Sequence, residues 1–153
     1  MRRIIIITLL CFAALTLRAQ EFVDLGLPSG TMWKEVNEGA FLSHQSANRF
    51  FFPELPTKGQ WEELIEQCKW EWTGEGYHIV GPNGNEIDLP AEGYFECDAS
   101  FERTKDGGGH YWSSTYIGSR RVWNLDFNEK QIGLEYGFDC YKYSIRLVRK
   151  KAE

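Results

Sequence analysis

The sequence predicts an α+β fold in one domain, mainly antiparallel strands with one principal amphipathic helix. Three observations lead there. Apolar and polar residues alternate with period two over much of the second half, and one run, Trp61 to Cys68, has helical spacing. In addition, 15% of the 153 residues are aromatic, with all six Trp beyond residue 30. That aromatic density belongs to a packed core rather than a disordered chain, and a chain of this length buries roughly two-thirds of its unfolded surface. The formal charge of −5 argues against nucleic acid and against an anionic membrane surface, since both select Lys/Arg-rich faces.

Residues 1–19 read as a secretory signal peptide. Arg2 and Arg3 precede an apolar run from Ile4 to Leu17, broken only by Thr8 and Thr16, and small Ala19 stands at the cleavage position. As a helix that run spans about 21 Å, short of the ~30 Å hydrocarbon layer, so no membrane insertion is expected after cleavage. Leu10 before Cys11 is not the small residue a lipoprotein signal needs. Cleavage removes three Arg and leaves 14 basic against 22 acidic residues, a net charge of −8. The remaining domain, 20–153, is expected to be secreted, to the periplasm or the cell surface.

Along that domain, the Pro28-Ser29-Gly30 turn separates two short strands, about 22–25 and 31–35. Residues 37–55 read as irregular, with Phe50-Phe51-Phe52-Pro53 tucked into the core as an extended segment. Thr57 and Gln60 form a capping box for the helix. Behind it Trp61, Leu64, Ile65 and Cys68 fall at i, i+3, i+4 and i+7, while Glu62, Glu63 and Glu66 take the wet face. That stripe is expected to dock on a sheet.

Beyond it, Trp70 and Trp72 flank Glu71, and Tyr77 to Val80 pairs with Glu86 to Leu89 across the Gly81-Pro82-Asn83-Gly84-Asn85 turn. Residues 91–110 carry few regular signals, and Gly107-Gly108-Gly109 forms a loop. Three closing strands, at 122–127, 132–136 and 143–148, read as an antiparallel meander. Of the cysteines that remain after cleavage, Cys68, Cys97 and Cys140, at most one pair bridges in a monomer. All three pairings stay open, as do buried free thiols.

Several ordered blocks carry a family resemblance. Val23-Asp24-Leu25-Gly26-Leu27-Pro28-Ser29-Gly30-Thr31-Met32-Trp33 comes first, then Leu55-Pro56-Thr57 with Trp61-Glu62-Glu63-Leu64. Cys68-Lys69-Trp70-Glu71-Trp72-Thr73, Gly81-Pro82-Asn83-Gly84-Asn85 and Leu89-Pro90-Ala91-Glu92-Gly93-Tyr94 follow. Tyr111-Trp112-Ser113-Ser114-Thr115 and Ser144-Ile145-Arg146-Leu147-Val148 complete the set. Together they resemble the Fibrobacter succinogenes major paralogous domain, a family abundant in secreted Bacteroidetes proteins. The resemblance covers 22–149 and implies a C-type-lectin-like fold, shared with formylglycine-generating enzymes and retroelement-diversified receptors. This chain departs from it in a shorter segment between Asn37 and Leu55.

The chemistry such a fold suggests is not written in these residues. Calcium needs converging hard oxygens. Gly81-Pro82-Asn83 lacks the acid of a Glu-Pro-Asn motif, and Trp123-Asn124-Leu125-Asp126 carries one residue more than Trp-Asn-Asp, which shifts Asp126 to another pleat position. The cysteines lie 29 and 43 residues apart, not a close copper-holding pair, and His44, His78 and His110 lack zinc spacing. His78 and His110 read as surface residues, and no nucleophile motif surrounds Cys97 or Cys140. No enzyme, metal or cofactor is therefore expected.

A binding surface in the C-terminal half remains, near the Trp-Ser-Ser segment where the resemblance implies ligand contact. The candidates are Tyr116, Arg120, Arg121, Asn124, Tyr141 and Lys142, of which Tyr and Arg offer contact area with polar tips. Trp112, Trp123 and Tyr143 read as core, and Arg146 as a structural residue paired with Asp126 or Glu135. The expected function is a secreted, non-catalytic module that recognises an extracytoplasmic glycan or protein. The alternative is a structural or assembly subunit of a cell-surface or envelope complex, self-associating through Cys97 or the 22–33 strand pair.

Overall fold

Strand β1 (Phe22–Asp24) and strand β2 (Thr31–Lys34) pair as a hairpin. Gly30, at φ 73°, closes its turn by donating its N–H to the Leu27 carbonyl. A left-handed φ of this kind is one that glycine adopts without steric cost. The computed structural model describes residues 21–98 and 101–152, and among them the chain is an α+β fold with antiparallel strand pairs and two helices. The signal-peptide reading of 1–19 lies outside the described residues.

Strand β3 (Leu42–Ser43) leads into helix α1 (His44–Phe51), where the sequence reads as irregular. The Ser43 side chain accepts from the Ser46 N–H and caps the helix. Only His44 and Ala47, one turn apart, are buried. His44, Ala47 and the partly buried Phe51 have helical spacing, but the face is short and opens on a polar histidine, so it carries little apolar weight in the sequence. The Phe run also behaves differently from expectation. Phe51 packs against the core, but Phe50 and Phe52 are exposed, because a helix sends consecutive side chains in different directions.

Helix α2 (Lys58–Gln67) starts on the reciprocal Thr57–Gln60 capping box and buries Trp61 and Leu64. A second sheet, order β4-β5-β6, consists of β4 (Lys69–Trp72), β5 (Gly76–Val80) and β6 (Glu86–Pro90). A third, order β7-β8-β9, consists of β7 (Gly109–Tyr116), β8 (Arg121–Asn128) and β9 (Gln131–Phe138). Helix α2 packs on that third sheet. Strand β7 is the element the alternation rule misses: Gly109 to Ser113 are all buried, so no polar face marks it.

The closing segment corrects the three-strand meander. Strands β10 (Lys142–Tyr143) and β11 (Val148–Lys150) leave β9 and pair with β3 and β2. Between them Ser144 runs beside β7, accepting from the Trp112 N–H and donating to the His110 carbonyl. Tyr143 to Val148 are buried without interruption, the mark of a segment covered on both sides. The two ends of the domain therefore share one sheet, order β1-β2-β11.

Two apolar clusters hold these layers. One gathers Trp33, Trp61, Tyr77, Tyr111 and Phe127, the other Phe22, Leu55, Trp112, Tyr143 and Ile145. Truncating a fully buried Trp such as Trp61 to Ala costs about 3–5 kcal/mol. Arg146, 1% exposed, ties strands together with its whole fork. Its Nη1 donates to the Lys34 and Glu35 carbonyls, Nη2 to the Asp88 carbonyl and Nε to Asn37 Oδ1. It is structural, but through these acceptors rather than Asp126 or Glu135.

Candidate functional site

Backbone register assembles an aromatic-lined cleft. In the β7–β8 ladder His110 stands opposite Asp126, and in the β8–β9 ladder Arg121 stands opposite Phe138. The Gly107-Gly108-Gly109 stretch turns the chain so that Asp106, four residues ahead of His110, reaches its ring from the other side. Gly109 is required there, since an added Cβ would lie 2.1 Å from the Phe127 ring. Gly137 makes similar room for Tyr143, whose hydroxyl would sit 2.6 Å from an added Cβ.

The result is an open cleft of about 350 Å³. Its aromatic wall is Tyr94, Tyr136, Phe138, Tyr141 and Tyr143, and its polar groups are Asp106, His110, Arg121 and Asp126. Tyr141 and Tyr143 stack at 5.8 Å with planes 13° apart, and Tyr94 meets both edge-on. A disulfide between Cys97 and Cys140 anchors this wall one residue before Tyr141. Reciprocal backbone bonds of 3.0 Å between Phe95 and Lys142 reinforce it.

His110 is 7% exposed, not the surface residue the glycine loop suggests. Its Nε2 meets Asp106 Oδ2 at 2.8 Å and its Nδ1 meets Asp126 Oδ2 at 2.6 Å. Burial alone favours the neutral ring. The hydrogen bonds and charges of Asp126 and Asp106 outweigh it and raise the His110 pKa. Both ring nitrogens then donate, so the imidazolium offers no lone pair to a substrate proton. The carboxylates grip opposite edges of the ring and do not converge on one point. Among the described residues, no group of three or more His, Cys, Asp or Glu is placed to hold a metal ion.

Two cleft groups stand apart from these bonds. The Tyr143 hydroxyl, on a residue 7% exposed, makes no hydrogen bond among the described residues, and burial pushes its pKa up. Arg121 lies over the rings of Tyr136 and Phe138, at 5.4 and 5.6 Å. No carboxylate among the described residues pairs with its guanidinium. Tyr94, by contrast, donates to Glu96 Oε1 at 3.1 Å, and burial first, then Glu96, pushes its pKa up to about 12.

The six residues singled out from sequence do not form one patch. Arg121 and Tyr141 line the cleft. Arg120 is exposed beside it at φ 62°, paired with Asp139 at 3.5 Å, and borders a shallower depression with Ile117, Ser119, Arg121 and Phe138. Tyr116 is half-exposed and held by His44, whose Nε2–H donates to the Ser113 carbonyl while its Nδ1 accepts from the Tyr116 hydroxyl. Lys142 pairs with β3 and with Phe95 through its backbone.

Asn124 is 1% exposed, with its Nδ2 on the Leu125 carbonyl, and cannot touch a ligand. Trp123, read as core, is only half-buried, with the Lys58 ammonium over its ring. The alternation along β8 shifts here because the β7–β8 register slips between Trp112 and Tyr116. Sequence reasoning did not single out Asp106, His110, Asp126, Tyr94, Tyr136, Phe138 or Tyr143 as site residues. Asp106 and His110 at i, i+4 across a triple glycine were the available signal.

Cys68 is the free thiol among the described cysteines, raised to about 11 by burial and by Glu63. Cys97, bonded to Cys140, is not available to link copies of the chain. No helix among the described residues is long and apolar enough to cross a membrane. No family model matches the chain, and no match is found among curated proteins or among solved structures.

Proposed function

We propose that this chain is an exported, non-catalytic binding module of C-type-lectin-like fold, and that the cleft takes a saccharide unit. The observation that carries the reading is the cleft itself. Five aromatic rings line about 350 Å³ of open space, at the lower end of the roughly 300–1,000 Å³ typical of small-molecule sites. The Tyr143 hydroxyl makes no hydrogen bond among the described residues and is not sealed from solvent, so it is open to a ligand in the cleft. Flat aromatic faces suit the C–H faces of a sugar ring, and phenol and guanidinium groups suit its hydroxyls.

Non-catalysis rests on His110. The site's histidine is clamped at both nitrogens by carboxylates, whereas a general base needs a lone pair in reach of a substrate proton. The lectin-like assignment rests on the ordered sequence blocks, which fall on β1 and β2, the start of α2, β4, the β5–β6 turn, β7 and the approach to β11. Export rests on the 1–19 pattern, and the Cys97–Cys140 bridge suits an oxidising compartment.

The test is binding of the protein without residues 1–19 to an array of neutral and acidic glycans, beside its Tyr143→Phe variant. That variant is expected to bind about tenfold more weakly. Its melting temperature should be nearly unchanged, because the hydroxyl makes no hydrogen bond among the described residues. Absence of binding across the array, or a Tyr143→Phe variant that binds as tightly as the wild type, overturns the reading.

A further inference from the structure

We infer that the saccharide taken by the cleft is a uronic acid, its carboxylate bound by Arg121. This rests on the saccharide reading above and adds a charge to it. An aromatic-walled cleft with two aspartates looks at first like a cage for a cation. Two observations argue otherwise.

The carboxylates are spent inside the protein. Asp106 and Asp126 each hold one edge of the His110 ring, at 2.8 and 2.6 Å, and the imidazolium already offsets part of their charge. The cation position over the rings is also filled. Arg121 covers Tyr136 and Phe138, leaving an incoming ammonium to face a guanidinium. A cationic ligand therefore meets repulsion without an unengaged carboxylate.

An anion meets the reverse. The Arg121 guanidinium makes neither a hydrogen bond nor an ion pair among the described residues, so its donors remain open. The centroids of the two rings it lies against are 5.4 and 5.6 Å from its Cζ and limit its freedom. A planar guanidinium fork matches a carboxylate bidentately. Glu96 is engaged as well, accepting from the Tyr94 hydroxyl in the wall, and charges beyond about 8 Å are screened at physiological salt. A saccharide is favoured over an acidic peptide because the recognition groups are ring faces, a phenol and a guanidinium. A peptide strand would instead seek a row of open backbone groups.

Calorimetric titration of the protein without residues 1–19 tests this, with galacturonate, glucuronate and mannuronate oligomers and their methyl esters. Ester and acid present the same sugar and differ in charge. At least one acid form should bind about tenfold tighter than its ester. Arg121→Gln should abolish that preference by weakening the acid alone. Arg121 is exposed and unpaired, so the variant should keep the wild-type melting temperature. Arg121→Lys, which keeps the charge without the fork, should retain only part of the preference.

Equal affinity for acid and ester overturns the uronate inference and leaves saccharide binding standing. An intact acid preference in Arg121→Gln overturns the role of Arg121. Preference for an oligoglutamate peptide over every sugar overturns the inference in favour of a protein ligand. Silence toward all of these and toward the neutral array overturns both readings.

Discussion

His110 and Arg146 show how differently two buried cations are kept in one small domain. His110 is stabilised by charge, with two aspartates that outweigh its burial and raise its pKa. Arg146 contacts no carboxylate with its fork. Burial lowers its pKa to about 10, and it is held by carbonyl dipoles. Each arrangement gives its own prediction. For a histidine raised in the folded state, the linked stability is fully present below the ordinary value near 6.5 and is lost as pH rises through the folded value.

The urea-unfolding free energy of the wild type minus that of His110→Gln should therefore shrink as pH climbs from about 6.5 upward. His44 and His78 are common to both proteins and cancel in that difference. A gap that stays constant or widens with pH would contradict the clamp. For Arg146, the Arg146→Met variant strands three carbonyls and an amide oxygen, at a cost of about 3–5 kcal/mol in urea unfolding. A loss below about 1 kcal/mol would show that the fork is dispensable.

Among the elements, α2 depends most on its own sequence. Thr57 and Gln60 satisfy each other's backbone N–H groups, so Thr57→Ala should cost about 1 kcal/mol in equilibrium unfolding. Gln60→Ala should cost a similar amount, because it removes the acceptor for the Thr57 N–H and the Nε2 donor to Thr31 Oγ1. Equal stability of Thr57→Ala and wild type would show that tertiary contact alone holds the helix start. This element was legible because capping chemistry and a four-residue apolar stripe agree over one span. The β1–β2 and β5–β6 hairpins were legible for a related reason, as Pro28-Ser29-Gly30 and Gly81 to Asn85 leave few other turns.

Elsewhere local rules lost to packing. Helix α1 is eight residues long and opens its buried face on a histidine, so its spacing carries little apolar weight, and β7 has no wet face from Gly109 to Ser113. The cleft was half legible. Tyr141 and Arg121 stand out by residue type, but the pairing of His110 with Asp126 exists only once β7 and β8 are in register. Asn124 misled because a polar residue in a strand reads as exposed. In β8 it falls beside a register slip and turns inward.

At the scale of the whole molecule, closure of the C-terminal half depends on one covalent tie. The Cys97–Cys140 bridge encloses a loop of 43 residues, and loop-closure entropy assigns such a cross-link about 4 kcal/mol. It joins the stretch after Tyr94 to the residue preceding Tyr141, so it fixes the spacing of two rings in the cleft wall. Reduction should then act on stability and on recognition together. The Cys97→Ala/Cys140→Ala protein should lose about 4 kcal/mol in urea unfolding and bind saccharide more weakly under conditions where it is still folded. Tyr143→Phe separates the two effects in the opposite direction, weakening binding while leaving stability alone. A double-cysteine variant that unfolds more easily yet binds as tightly as wild type would mean that the ladder between Phe95 and Lys142 suffices to hold the wall. The bridge would then serve the fold alone.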